Sequence, residues 1–89
     1  FVKAADNGDR QSQFTLGVAM FNGQLGAPQN MPEAYKWFTL AGAGGHQSAA
    51  ANAVLIQELL PPSEVARIQD EVRQWIEQFN QRLAASQQP

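Results

Sequence analysis

His46 is the single histidine of this chain. An imidazole works as a general base or a metal ligand when carboxylates, thiolates or a second imidazole stand at ligand spacing around it. The neighbours of His46 are Gly44, Gly45, Gln47 and Ser48, which supply no such set. The expectation is an exposed residue at a turn. Ser12, Ser48 and Ser63 lack the Gly-x-Ser-x-Gly elbow of a serine nucleophile. Ser48 lies two residues from His46, and residues two apart on a helix do not face each other. Asp6 and Asp9 flank a turn, and Glu58 and Glu64 flank Pro61-Pro62. Paired carboxylates hydrolyse glycosidic bonds across a cleft. At helix ends, acids instead cap the backbone and complement the helix dipole. Gly23-Gln24-Leu25-Gly26 is rich in glycine, but a phosphate loop also needs a preceding strand and a following Gly-Lys-Ser/Thr. Trp37 and Trp75 have the faces to stack on a sugar or a base, yet both fall on apolar stripes and read as core. The chain has no cysteine, which removes disulfides, thiolate metal sites and thiol nucleophiles. No catalytic, cofactor-binding or metal-ligating set is assigned, and the expectation is that the chain is not an enzyme.

The elements that would position these side chains are helices throughout. Gly8 suits the left-handed position just past a helix end, and Asp9 can cap a helix over about residues 10–22. Phe14, Val18 and Phe21 form one stripe on it; Gln13, Leu16, Gly17 and Met20 form a second. Two adjacent stripes predict a helix sandwiched between neighbours. Asn30 and Glu33 resemble a capping box, with Pro32 in the first turn of a helix that runs to about Ala43 and ends at Gly44-Gly45. It would bury Ala34, Trp37, Phe38 and Ala41. An alanine-rich third helix is expected over His46–Leu59, stopped by Pro61-Pro62. A long fourth, about Ser63–Ala84, carries Val65, Ile68, Val72, Trp75, Phe79 and Leu83 at steps of three and four. No strand signal occurs. The expected fold class is all-α, an α-solenoid of antiparallel helical hairpins with about one and a half to two repeats.

Bulk properties agree with such a module. At 89 residues and 44% hydrophobic content the chain makes one small domain, one that buries roughly 60–65% of its unfolded surface. A net charge of −2 without a basic cluster argues against nucleic acid. No apolar run approaches the ~20 residues that span a bilayer.

The chain also repeats itself. Lys3–Asp9 aligns with Leu40–His46 at an offset of 37, and Phe1 falls on Phe38. A period near that length marks stacked helical hairpins, none able to bury its apolar face alone. Gly8, Ser12, Gln13, Leu16-Gly17, Gly23, Gly26, Asn30, Ala34, Trp37-Phe38, Ala41 and Gly45 follow the pattern of the Sel-1-like repeat, a relative of the tetratricopeptide repeat, and the chain resembles that family over roughly residues 1–76. Met20 and Gly42 depart from the pattern, and Leu25 looks inserted. The second hairpin fits less well, and Leu60–Trp75 resembles the terminal segment of bacterial members. The resulting division is a preceding helix end at 1–8, a repeat at 9–45, a degenerate terminal repeat with a long capping helix at 46–84 and a tail at 85–89, the C-terminal part of a longer protein.

The resemblance implies a non-enzymatic adaptor that binds a protein or peptide on a concave surface lined by the first helix of each hairpin. Outward residues there would be Arg10, Gln11, Thr15, Ala19 and Asn22, with Gln47, Ser48, Asn52 and Ile56 in the second hairpin. Phe79 and Leu83 continue the last stripe past its hairpin partner, so an alternative is self-association through that helix. A more distant alternative is β-lactam binding or hydrolysis, described for disulfide-rich members. Gly17, Ala34 and Ala41 are expected where helices cross too closely for larger side chains, with Trp37 and Phe38 filling the space beside them.

Overall fold

The computed structural model describes residues 8–23 and 30–86, and four helices account for most of them. They are α1 (Arg10–Asn22), α2 (Met31–Ala43), α3 (Gln47–Gln57) and α4 (Pro62–Ser86). The described residues contain no strand. The expected segment at 1–7, most of the loop after Gly23 and the last three residues lie outside the described residues.

The first three helices begin where the sequence supplies a side-chain acceptor for the first free N–H groups. Asp9 Oδ1 accepts from the amides of Gln11 and Ser12, at 3.0 and 3.2 Å. Asn30 Oδ1 accepts from the Glu33 amide at 3.1 Å, the half of the capping box that the Asn supplies. His46 Nδ1 accepts from the Ala49 amide at 3.1 Å. The start of α3 trails that of α1 by 37 residues, the offset of the sequence repeat. The preceding glycines share it too: Gly8 (φ +90°) and Gly45 (φ +105°) both adopt the left-handed turn conformation that a side chain resists. Two ends differ from expectation. α3 stops at Gln57 because Glu58–Leu60 turn ahead of the prolines, and α4 continues to Ser86, two residues further than Ala84.

α2 is the hub, packing on α1, α3 and α4. Its buried residues, among them Ala34, Tyr35, Trp37, Phe38, Leu40 and Ala41, surround its axis as a central helix requires. α1 runs against it: Arg10 reaches Gly44 beyond the end of α2, and the amide of Asn30 before its start donates to Met20 O. α3 also runs against it, with Ala50 beside Gly42 and Gln57 beside Tyr35. α1 and α3 therefore run the same way. α4 runs with α2: Gln69 meets Tyr35, while Ile76 and Phe79 share a cavity with Leu40 and Ala43. At about 1.5 Å per residue its 25 residues span roughly 37 Å.

The expected close crossing is present at Gly17. A Cβ there would lie 2.8 Å from two Phe38 ring carbons. Ala34 and Ala41 are completely buried, and Trp37 and Phe38 are core. Leu16 is buried on the same side of α1, and Gly23 ends that helix in the left-handed conformation. Tyr35 ties three helices together. Its hydroxyl donates to Gln57 Oε1 on α3 at 3.3 Å and accepts from Gln69 Nε2 on α4 at 3.0 Å. Among the described residues no buried side-chain polar atom lacks a partner.

α4 docks on α2 and meets α3 only sparsely. Val54 and Leu55 of α3, and Leu59 in the turn after it, stay about 60% or more exposed.

Candidate functional site

Parallel α1 and α3 leave a groove between them. Val18, Phe21 and Asn22 of α1 form one wall, and Asn52, Leu55, Ile56 and Leu59 form the other. Phe38 of α2 is the floor. The groove has a volume of about 370 Å³. Its lining is predominantly apolar, and only two carboxamides, those of Asn22 and Asn52, interrupt it. The spacing explains the walls: 18 and 21 are one turn apart on α1, 52, 55 and 56 share one face of α3, and Leu59 extends that wall from the turn after it. The floor follows from Gly17, which lets Phe38 rise against α1 until a helix side chain would collide with it. Phe14 packs on the same ring, centroids 5.7 Å apart.

The expected contact residues scatter over three places. Asn22 and Asn52 do line the groove. Arg10 and Gln11 instead sit at the joint between α1 and the turn before α3. Arg10 Nη1 donates to Gly44 O at 2.6 Å, and its aliphatic stem covers Gly44. Gln11 Oε1 lies 3.3 Å from His46 Nε2. Gln47 and Ser48 are exposed in the first turn of α3, and Thr15 is half-buried; none of the three lines the groove. Ala19 and Ile56 were expected to face outward, but both are buried. The two stripes of α1 and the narrow alanine face of α3 turn them toward neighbouring helices.

His46 also corrects the expectation of an exposed turn residue. It is half-buried, caps α3 and stacks on Phe14 with ring centroids 4.3 Å apart. Phe79 is half-buried as well. Its ring stacks on Trp75 at 5.2 Å and sits so close to Gly8 that a Cβ there would fall 2.6 Å from the ring edge. Phe79 thus belongs to the packing of α4 on the start of α1, while Leu83 is 43% exposed further along. Trp37 is core; Trp75 is half-buried beside Phe79.

Val18, Phe21, Leu55 and Leu59 were not singled out as contact residues. Leu55 near the end of an alanine-rich helix, and Leu59 four residues on in the following turn, carried the signal.

Charge around the molecule is arranged in local pairs. Arg67 of α4 bridges Glu64 and Glu71, and Arg73 meets Asp70. The hydrogen bond that Arg67 donates to the Glu64 carboxylate, more than any other contact, raises the guanidinium above its ordinary range. Asp9 is held below the usual 3.8, chiefly by the Ser12 amide and then by the Ser12 hydroxyl and the Gln11 amide. Among the described residues no group of three His, Asp or Glu side chains is placed to hold a metal ion, and no helix is long and apolar enough to cross a membrane.

No family model, curated protein or solved structure matches this chain.

Proposed function

We propose that this chain is a non-enzymatic interaction module, built as stacked helical hairpins of the Sel-1-like type, that holds an extended peptide segment of a protein partner between α1 and α3. The observation that carries this reading is the open apolar groove floored by Phe38. Val18, Phe21, Leu55 and Leu59 would bury apolar side chains of the segment. Leu55 and Leu59 are more than 60% exposed, so covering them removes substantial apolar surface from water, worth about 25 cal/mol per Å². Asn22 and Asn52 each offer a donor and an acceptor, the complement of a peptide backbone unit. The starts of α1 and α3 and the left-handed Gly8 and Gly45, each pair 37 residues apart, support the repeat reading.

The test uses a displayed library of randomised linear peptides selected on the whole chain. Enriched peptides should share apolar anchors. Their affinity should fall at least tenfold on Leu55→Lys or Leu59→Lys and stay unchanged on Gln74→Lys, which lies on exposed α4. The triple change of Arg10, Thr15 and Asn52 to Ala should weaken them mainly through Asn52. Enriched peptides that bind both leucine variants as well as wild type would overturn the groove reading.

A further inference from the structure

We propose that His46 is a proton-operated clasp that fastens the N-terminus of α3 when neutral and releases it when charged. The tautomer follows from the partners. A backbone amide only donates, so Nδ1, which accepts from Ala49 N–H at 3.1 Å, carries no proton. The proton sits on Nε2, which points at Gln11 Oε1 at 3.3 Å and donates to it. One ring thus joins α3 to α1, and stacking on Phe14 fixes its plane.

Taking up a proton changes only one end of this arrangement. Nε2 still donates to Gln11, and the charged ring still stacks on Phe14. Nδ1 becomes a donor facing the Ala49 donor, and the cap bond is lost. The new charge also stands at the positive end of the α3 dipole. The charged groups around the joint reinforce this. On α1, the Arg10 guanidinium is bonded to Gly44 O, in the turn that leads to His46. Asp9, also before α1, has its carboxylate engaged by Gln11 and Ser12. The end of α2 and the first turn of α3, Gln47 and Ser48, contribute no ionisable side chain. Among the described residues no ion pair reaches the imidazole.

The repeat sharpens the contrast. Asp9 and His46 occupy the same slot, 37 residues apart, directly after a left-handed glycine and directly before a helix. In α1 the slot holds a carboxylate, which keeps accepting at neutral pH. In α3 it holds the side chain whose charge changes between about pH 5 and 8. The cap of α3 is therefore present with the neutral ring and lost when the ring takes up a proton. This inference does not depend on what occupies the groove.

Hydrogen exchange of the Ala49 amide in the whole chain, corrected for its intrinsic rate, tests it between about pH 5 and 8. Protection should fall about fivefold or more on the acidic side, the scale of a lost helix cap. In His46→Asn, a cap that does not titrate, protection should stay flat; His46→Ser replaces it if the Asn variant fails to fold. Ring contacts between His46 and Phe14 should persist at both ends of the range. Flat protection in wild type, an equal fall in the non-titrating variant, or loss of the Phe14 contact at low pH would each overturn the clasp.

Discussion

Replacing Gly17 with alanine should destabilise the chain, although helix propensity predicts the reverse. In an open helix the change gains roughly 1 kcal/mol. Here the new Cβ would lie 2.8 Å from Phe38 Cδ1 and Cε1. Those atoms belong to a rigid ring that is 2% exposed and packed against Phe14, so any retreat disturbs that buried packing. Overpacking of this kind costs about 1–3 kcal/mol. Subtracting the propensity gain leaves a net loss of about 1 kcal/mol, and for a domain of this size about 4–8 °C in Tm. Gly17→Leu should lose more. The measurement is thermal unfolding of wild type, Gly17→Ala, Phe38→Leu and the double variant. Phe38→Leu makes room, so the two changes should couple favourably by more than about 0.5 kcal/mol. A rise in Tm for Gly17→Ala, or strict additivity in the cycle, would refute the close crossing.

Tyr35→Phe removes the hydroxyl that joins Gln57 to Gln69. Both glutamines are exposed and can turn to water, so urea unfolding should show a loss of about 0.5–1.5 kcal/mol; an unchanged midpoint would show that the bridge is idle. The Asp9 carboxyl is held below its ordinary value when folded, so its contribution is present above the usual carboxylate range and is lost as pH falls through the folded value. Amide protection at Gln11 and Ser12 should therefore drop on acidification in wild type and stay flat in Asp9→Asn; equal profiles would remove Asp9 as the cause.

Local chemistry made the helices legible. Asp9, Asn30 and Pro61-Pro62 mark ends that need a partner for free N–H groups or that lack one to give. The Gly17 crossing was legible too, because a glycine inside a helix is costly unless something lies against it. The groove was harder to see, since its two walls come from sequence-distant segments whose neighbourhood is set by how α1 and α3 lie across α2. Arg10 and Gln11 are polar and periodic like solvent-facing residues, and nothing local announces that Gly44 and His46 sit beside them. Phe79 looks unpartnered in sequence because its partner is Gly8, which has no side chain to suggest a contact. His46 reads as a turn residue for a related reason: its roles as cap and as ring partner belong to two different helices.

The most direct measurement is a solution NMR search for contacts of the Phe38 ring. It should show strong cross-peaks to the Gly17 α-protons, one of them displaced upfield by the ring, together with contacts to Val18 and Ile56 from the two walls. A Phe38 ring without contact to Gly17, or one that meets only one of α1 and α3, would contradict the arrangement on which the groove depends.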